Sequence, residues 1–479
     1  MKKKDINVIW FKKDLRLKDN KSFELVLKNN LPILFIYIFE PSVIKSPDSD
    51  SRHIQFIYQS LLDLEKQMQK YSLRLEILSG EAEDIFNKLF LIYNLKNVYS
   101  YQEIGNNITF NRDKDIRQLF SSNRVNWIEH KTNGIIRGIK SRKNWKNKWL
   151  KEMNSEIVYV DFNQINKEKL FLPGGISSFI LKNKLNPNFQ PGGETNAWKY
   201  LNSFYNKRYK GYTKNISKPR ESRISCSRLS PYLTYGNLSS KQVFQQFSKS
   251  TYHNRDIKSF LSRLQWRCHF IQKFDDQPNI EFFNINNAYD GVRSDINQEF
   301  INCWKKGETG IPIVDACMRS LNETGYLNFR MRAMIVSFAS FNLWQDWRNF
   351  SHHLSKKFLD YEPGIHYSQI QMQSGVTGIN TIRIYNPIKN SKELDPLGLY
   401  IKKWVPELRN IPVEYIHEPW KMTEIEQKMY DFVIDINYPK PIVDIENTRK
   451  FASDVIWKIK KGKKSIQLGK IILKKHINS

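Results

Sequence analysis

The chain has 479 residues, of which 40% are hydrophobic and 13% aromatic, and its formal net charge is +28. This length and apolar content predict two or three folded domains and exclude a disordered chain. The longest apolar runs, such as LPILFIYIF near residue 35, are too short to cross a membrane. We therefore expect a monomeric cytoplasmic protein without a signal peptide or a membrane segment.

The excess of basic residues indicates a partner with many negative charges. Lys and Arg total 76 against 48 Asp and Glu, and a positive field of that size attracts polyanions such as nucleic acid. Part of the charge has another explanation, because AT-rich genomes encode proteins rich in Lys, Asn and Ile. Charge alone therefore favours nucleic-acid binding but leaves both explanations open.

The first 130 residues alternate strand and helix patterns. Amphipathic stretches such as residues 52–71 separate five short apolar runs, which are INVIWF, LPILFIYIF, RLEILSG, NVYSYQ and NRVNWIEH. Strands that alternate with helices build a parallel sheet. We predict a Rossmann-like α/β domain over residues 1–130, with a five-stranded parallel sheet.

Residues 131–196 combine a basic run with the loop LNPNFQPGGETNA, and we predict that they connect two domains. From residue 197 onward helical periodicity dominates, as in residues 261–275, 313–324 and 330–347. We predict an all-α domain over residues 197–479. Its basic tail, residues 458–476, is expected to be solvated or frayed.

The cysteines give no pattern of metal ligands. No Cys-x-x-Cys pair occurs, and only Cys268 has an adjacent histidine, which helical geometry turns to another face. We predict no metal and interpret all four cysteines as buried free thiols, namely Cys226, Cys268, Cys303 and Cys317.

The stretch LSRLQWRCHFIQKF, residues 261–274, has two distinct helical faces. One face is apolar and carries Leu261, Leu264, Cys268 and Ile271. The other alternates cations with aromatics at the spacing i, i+3, i+4 and i+7, and carries Arg263, Trp266, Arg267 and Phe270. This second face suits a further protein layer, an anionic cofactor or a nucleic acid.

Four long motifs identify a family. They are WFKKDLRLKDN at residues 10–20, SCSRLSPYLTYGNLS at 225–239, WKKGETGIPIVDACMRSLNETGYLNFRMRAM at 304–334 and RIYNPIKNSKELDPLGLYIKKWVPEL at 383–408. In this order they resemble the DNA photolyase/cryptochrome family of FAD-dependent blue-light proteins, in a divergent bacterial form. The resemblance runs from about residue 8 to HEPW at 417–420. Without the resemblance, WFKKDLRLKDN can also be interpreted as a salt-bridged loop, and SRLSPYL can be interpreted as an ordinary helix cap.

The resemblance implies that FAD binds in the helical domain. The cofactor contacts it implies are Tyr212, Ser227, Arg228, Leu229, Ser230, Arg267, Arg332, Asp360 and Glu362. Arg332 and Asp360 are expected to pair near the isoalloxazine ring, although a purely structural salt bridge is the alternative. Glu362 stands where the family usually has Asp. A second, light-harvesting chromophore, a folate or a deazaflavin, is implied near QEIGNN at residues 102–107.

The family carries electrons to the flavin through three tryptophans. Trp347 matches the middle member and Trp304 the outer one, but the innermost is missing from IHYSQIQM, residues 365–372. Tyr367, or a route through Trp344, is expected to replace it. His366 aligns with the group beside flavin N5. Each of these residues is equally compatible with an ordinary packing role.

The resemblance also implies a pocket for damaged DNA. Trp266 matches an aromatic residue that packs on the lesion, and Arg330 and Arg383 match arginines near the lesion and the DNA backbone, where a surface salt bridge is the alternative. Arg263 stands where the family has a Glu that hydrogen-bonds the lesion, and Phe329 where it has an Asn. A second aromatic is replaced by Ile370 or Met372.

The leading functional prediction is a light-driven DNA photolyase, a carbon–carbon lyase. Excited reduced FAD would donate an electron to a pyrimidine dimer in UV-damaged DNA and so split it. The alternative is a cryptochrome-type photoreceptor without repair activity, which the lost Glu and Asn favour, whereas the net charge and Trp266 favour repair. A scaffold that has lost its flavin is disfavoured, because the cofactor positions are retained. The kind of dimer and the strand preference stay open.

Overall fold

The computed structural model describes residues 3–28, 30–139, 141–181, 185–249 and 254–476. Its amino-terminal part is built on one sheet with the strand order β5-β4-β1-β2-β3-β6. The strands are β1 (Lys4–Phe11), β2 (Ile33–Phe39), β3 (Leu75–Ser79), β4 (Tyr93–Tyr101), β5 (Asn126–His130) and β6 (Ser177–Ser178). The five predicted strands are parallel. The sixth, which the sequence did not predict, is two residues long and pairs antiparallel with β3.

In the described residues the helices follow the predicted distribution, with five between the parallel strands β1 to β5 and the remainder after residue 144. Those of the sheet region are α1 (Lys21–Val26), α2 (Pro41–Ile44), α3 (Ser51–Gln69), α4 (Ala82–Ile92) and α5 (Asn107–Ser122). The next are α6 (Trp145–Met153), α7 (Glu194–Ser203), α8 (Tyr212–Asn215), α9 (Ser222–Ser225), α10 (Ser230–Thr234), α11 (Ser240–Ser248), α12 (Arg255–Asp276), α13 (Gln298–Lys306) and α14 (Pro312–Thr324). The last are α15 (Phe329–Ser337), α16 (Arg348–Lys357), α17 (Pro363–Gln373), α18 (Pro387–Leu394), α19 (Leu399–Trp404), α20 (Glu424–Met429), α21 (Ile445–Lys460) and α22 (Lys463–His476).

The two faces of the sheet pack against different layers. One face buries Trp10 against Phe86 of α4 and Phe120 of α5. The other face belongs to a core that runs without a break from Phe11 through Trp145 to Leu264 of α12. The helical part is therefore packed directly on the sheet. The domain boundaries after residues 130 and 196 stay a prediction, and their outer ends at residues 1–2 and 477–479 lie outside the described residues.

The helix predicted over residues 330–347 is interrupted. Regular α15 ends at Ser337, a π-helical turn follows at Phe338–Asn342, and Trp344 has a positive φ of 55°. The apolar pattern continues through this segment, so periodicity alone did not show the break. The buried side chain of Asn342 donates to Thr448 of α21 at 3.0 Å, which ties the turn to a later helix.

The basic tail is ordered, so the expectation of a solvated or frayed segment is wrong. Residues 458–476 form the end of α21 and the whole of α22. Ser465, Gly469, Ile472 and His476 are buried at spacings of four, three and four residues, which makes one packed helical stripe. The lysines occupy the opposite side of the helix.

All four cysteines are free thiols, as predicted, and Cys226, Cys268 and Cys317 are buried. Cys303 differs from the prediction because it is partly exposed on α13. Of the helices in the described ranges, none is both long and apolar enough to span a membrane.

Candidate functional site

A cavity of about 940 Å³ opens in the helical part of the protein, between α12, α15 and α17. It brings together residues that lie far apart in the sequence. Eight of the nine predicted cofactor residues and all four predicted DNA-binding residues line it. The exception is Leu229, which is 1% exposed and belongs to the protein core. Of the predicted catalytic residues, Trp266 and His366 line the cavity.

An ion pair with Arg332 holds Asp360 in this cavity. The Arg332 Nη2 atom donates to Asp360 Oδ2 at 2.9 Å, and the guanidinium lies 4.1 Å from the centre of the Phe358 ring. Burial alone would raise the pKa of the Asp360 carboxyl, but the charge and hydrogen bond of Arg332 lower it below its ordinary value. The expected pair is therefore present, and its carboxylate is ionised at neutral pH.

Glu362 immediately precedes α17 and faces two cations. Arg267 Nη2 lies 3.4 Å from Glu362 Oε2, and Lys13 Nζ lies 3.6 Å from Oε1. Arg267 also donates to Asn133 Oδ1 at 3.1 Å and to the Leu233 carbonyl at 3.0 Å. Lys13 follows β1, so this network joins the sheet edge to the cavity. No pattern in the sequence indicated that Lys13 and Asn133 belong to this network.

The segment before α10 presents a loop to the cavity. Arg228 has a positive φ of 60°, and its guanidinium lies 3.9 Å from the centre of the Tyr326 ring. Its buried Nε atom has no hydrogen-bond partner among the described residues. Ser230 begins α10, and Tyr212 begins α8 with its ring 5% exposed. The loop therefore offers an unused donor and hydroxyl groups to whatever occupies the cavity.

A row of aromatic rings leads from the cavity into the protein. His366 contacts Tyr367 with 5.1 Å between ring centres, and Tyr367 contacts Trp347 at 6.2 Å. Trp347 donates from Nε1 to Asn284 Oδ1 at 2.7 Å. Trp304 is fully buried and packs against Phe350 at 5.4 Å. The structure thus brings Tyr367 between the cavity and Trp347, at the point where the missing tryptophan is expected.

His366 is neutral and has a defined tautomer. Burial lowers its pKa to about 3. Its Nε2 atom lies 3.0 Å from the Ser351 carbonyl, which can only accept, so Nε2 carries the proton. Nδ1 is therefore a hydrogen-bond acceptor.

The alternative route through Trp344 starts elsewhere. The Trp344 ring packs against Phe451 of α21 at 4.9 Å and beneath the guanidinium of Arg293 at 4.8 Å. Neither of these neighbours lines the cavity.

The mouth of the cavity combines exposed aromatics with arginines. Trp266 is 49% exposed and packs edge-on against His269, 5.2 Å away between ring centres. Arg263 lies 5.6 Å from the centre of the half-exposed Phe329 ring. Arg330 donates to the Tyr385 hydroxyl at 3.0 Å. Thus the arginines here are not held by carboxylates, and no ion pair in the described ranges contains Arg263 or Arg330.

A second group of polar residues lines the cavity further along α12, and the sequence did not predict it. It consists of His269, Lys273, Gln373, Asn380 and His476. Lys273 lies seven residues after Trp266, so it continues the face formed by Trp266 and Phe270. Extending that periodicity by one turn would have found it.

Comparison with known proteins identifies one family. Residues 7–148 match the family profile described as DNA photolyase, and residues 260–458 match that of the FAD binding domain of DNA photolyase. A deoxyribodipyrimidine photo-lyase of Alkalihalophilus pseudofirmus is 27% identical over 470 residues, covering 93% of this chain and 97% of that protein. A cryptochrome DASH of Synechocystis is 25% identical, covering 92% of this chain and 96% of that protein.

Among solved structures, a class III photolyase from Agrobacterium tumefaciens has the same fold. Its TM-score is 0.83 at 24% sequence identity, covering 96% of this chain and 99% of that one. In this protein the DNA photolyase profile matches the part that contains most of the sheet, and the FAD-binding profile matches the helical part that contains α12, α17 and the cavity between them. The protein belongs to the photolyase/cryptochrome family and carries the FAD-binding domain of that family.

Proposed function

We propose that the protein is a light-driven DNA photolyase that splits UV-induced pyrimidine dimers by electron transfer from excited reduced FAD. The observation that carries this proposal is Trp266, a half-exposed aromatic ring at the mouth of the cavity. Stacking of a base on such a ring contributes about 1–3 kcal/mol to binding. A purely signalling flavoprotein has no need for a stacking surface between unpaired arginines.

The residues present fit FAD. The cavity is large enough for a dinucleotide, and the unpartnered Nε of Arg228 and the hydroxyls of Ser227 and Ser230 suit its phosphates. We propose that the Arg332–Asp360 pair and Glu362 contact the ring system. Bound reduced FAD supplies an electron donor that light can excite. The residues of the chain bind it, orient it and keep water away.

Trp266, Arg263, Arg330 and Arg383 are proposed to bind the DNA. A flipped lesion would stack on Trp266, as enzymes that act on bases extrude their target from the duplex. Arg383 is exposed and forms no hydrogen bond or ion pair in the described ranges, so its charge is available to a phosphate. The formal net charge of +28 would speed the encounter with DNA.

Trp304, Trp347 and Tyr367 are proposed to carry electrons to the cofactor. The contact of Tyr367 with both Trp347 and His366 supports this route over one through Trp344. His366 is proposed to lie beside flavin N5. Its neutral ring would offer Nδ1 as an acceptor, since Nε2 is engaged with Ser351.

The alternative is a cryptochrome-type photoreceptor without repair activity. Arg263 and Phe329 favour it, because they replace the two polar residues with which the family contacts a dimer. The decisive experiment illuminates fully reduced protein with oligonucleotides that carry either a cyclobutane dimer or a 6–4 product. Loss of either lesion in light but not in darkness supports photolyase activity. If both lesions survive, the photoreceptor is the better assignment.

We also propose a second chromophore, a folate or a deazaflavin, in the sheet domain. A cavity of about 140 Å³ lies at the carboxyl edge of the sheet and is lined by Glu103, Gly105 and Asn106 of the QEIGNN segment. Arg112 also lines it and pairs with Glu40 and Glu103. Chromatography of the chromophores released from denatured protein tests this proposal. A folate or a deazaflavin beside FAD would support it, and FAD as the single chromophore would contradict it. A monomer located in the cytoplasm completes the proposal, and light scattering tests its mass.

A further inference from the structure

One end of the main cavity contains a buried lysine that has no partner among the described residues. Lys273 lies in the last turn of α12, is 6% exposed and lines the cavity. Its ammonium group forms no hydrogen bond and no ion pair with any residue of the described ranges. Burying a charge without compensation is costly, so such a group needs an anion.

Within the described residues, no carboxylate supplies that anion. Asp276 accepts from Arg142 Nε at 2.8 Å and from Gln272 Nε2 at 2.7 Å, so both of its oxygens are engaged. Asp275 pairs with Arg137. The acids that line the cavity in the described ranges are Asp360 and Glu362, and both are paired with arginines. The neighbouring charge that helps to lower the pKa of Lys273 is instead the positive charge of Arg142.

The side chain one turn before Lys273 adds a second donor. Arg142 Nη1 lies 3.2 Å from His269 Nδ1, and arginine can only donate, so Nδ1 accepts and Nε2 carries the proton. Burial lowers the pKa of His269 to about 3, which keeps the ring neutral in this tautomer. His269 also lines the cavity, and its Nε2 proton has no acceptor among the described residues. The amide of Gln373, also without a partner there, lines the same cavity.

We propose that Lys273 and His269 form an anion subsite that binds a phosphate group, and that this group is an internucleotide phosphate of the DNA strand entering the cavity. The identity of the ligand rests on the proposed function. The rise of an α-helix is about 1.5 Å per residue, which puts Lys273 about 10 Å along α12 from Trp266. A dinucleotide spans that distance, so a base on Trp266 and a phosphate at Lys273 can belong to one strand.

The subsite is tested with a series of single-stranded oligonucleotides that each contain one cyclobutane dimer. In each member of the series, one internucleotide phosphate is replaced by a neutral methylphosphonate, at a different position. Their affinities for the wild-type protein, K273M and K258M are compared. Lys258 is an exposed lysine on the same helix, so K258M removes an equal charge outside the cavity.

We expect one methylphosphonate position to weaken wild-type and K258M binding roughly tenfold, as loss of a charge-assisted hydrogen bond does. K273M should bind more weakly and be insensitive at that position. The slope of log K against log salt should fall by about 0.7 in K273M, the value for one single-strand phosphate. Equal sensitivity of K273M and wild type at every position would overturn the proposal, as would loss of FAD from K273M.

Failure of DNA binding itself has a different signature. If the wild-type protein binds none of the oligonucleotides, the proposed function fails, and the subsite is examined with inorganic phosphate. A melting temperature raised by phosphate relative to chloride of equal ionic strength, in wild type but not in K273M, would retain the phosphate subsite and reject DNA as its source. No difference between the two proteins would reject the subsite altogether.

Discussion

The Arg263 guanidinium lies 5.6 Å from the centre of the Phe329 ring at the mouth of the cavity. They are the two positions at which the resemblance to the family predicts a glutamate and an asparagine that contact a dimer. If that assignment holds, the two departures are neighbours, and this edge of the cavity is cationic and aromatic where an acidic and polar one is expected. A cation over an exposed ring is stabilised by about 0.5–1 kcal/mol.

Restoring the family carboxylate at this edge should weaken DNA binding. R263E removes a positive charge and adds a negative one, so we expect the affinity for damaged oligonucleotide to fall roughly tenfold at low salt. Fluorescence anisotropy measures this affinity. The same measurement on F329N and on the double variant R263E/F329N completes a double-mutant cycle, which gives the coupling free energy between the two positions for DNA binding. If R263E binds damaged DNA more tightly than the wild type, the prediction is wrong, and the site can still bind a lesion through a carboxylate at position 263.

Removing the exposed ring of Trp266 should weaken binding of damaged DNA by about 1–3 kcal/mol, the contribution of one stacked base. Undamaged duplex should change less, because its bases are not available for stacking. W457A is a matched control, since Trp457 is 40% exposed on α21 and does not line the cavity. Equal losses in W266A and W457A would show that the effect is not specific to the cavity.

Breaking the Arg332–Asp360 pair should reduce the FAD content. D360A leaves Arg332 without the carboxylate that accepts its Nη2 hydrogen bond, and a hydrogen bond between charged groups contributes about 1.5–3 kcal/mol. Flavin absorbance per mole of folded protein is the measurement. E407A, which breaks the more exposed Arg319–Glu407 pair, should leave the flavin content unchanged.

Electron supply to the flavin should depend on Trp347 and Tyr367. We expect W347F and Y367F each to slow photoreduction of the oxidised flavin at least tenfold, roughly what a barrier increase of 1.4 kcal/mol gives. W344F tests the other route and should leave the rate unchanged. If W344F slows photoreduction whereas W347F and Y367F leave its rate unchanged, the electrons travel through Trp344 on the α21 side.

The affinity for DNA should fall as the pH rises past 8. Burial and the charge of Arg142 lower the pKa of Lys273 from 10.5 to about 8, so its ammonium loses its proton within the accessible range. The neighbouring His269 and His476, with pKa values of about 3 and about 2, stay neutral, and Arg142–Asp276 and Arg137–Asp275 stay paired. A titration of affinity from pH 7 to 9 should be flat in K273M.

The same shift predicts the pH dependence of stability without DNA. Between pH 8 and 10.5 the unfolded chain binds more protons than the native protein at Lys273, so the free energy of unfolding should rise across that window. K273M should lose this rise and be more stable than wild type at pH 7, because an uncompensated buried charge is gone. Lower stability in K273M would indicate a partner for Lys273 in the native state.

The sequence predicted those features whose signal is local. Five strands and the main helices follow from short-range patterns, and the cavity brings nearly all of the predicted cofactor and DNA-binding residues together. Leu229 does not line the cavity, because a motif gives a position in the chain and not the direction of its side chain, and its contact with the cofactor stays a prediction. The two-residue strand β6 is too short to show alternation.

Features that depend on distant partners were missed. The basic tail was expected to be solvated because of its many lysines. The small and apolar residues that pack α22 do have a helical spacing, but the surface that they contact comes from other parts of the chain. The spacing alone therefore did not indicate burial. Lys273 was overlooked for a related reason, since a lysine near a helix end is usually exposed. The pairing of Lys13 with Glu362 spans the two domains, and no pattern within either segment indicates it.

The docking of α22 has a consequence for the order in which the protein matures. His476 of this helix bonds to Gln277 through Nε2 at 2.9 Å, and its carbonyl accepts from Arg142 at 3.2 Å, so α22 closes the wall of the cavity beside Lys273. The ribosome makes this helix after every other element of that wall. We therefore expect this side of the cavity to stay open in the nascent chain until α22 docks. An affinity tag fused after the helix would lie beside the cavity, and an amino-terminal tag is preferable for binding experiments.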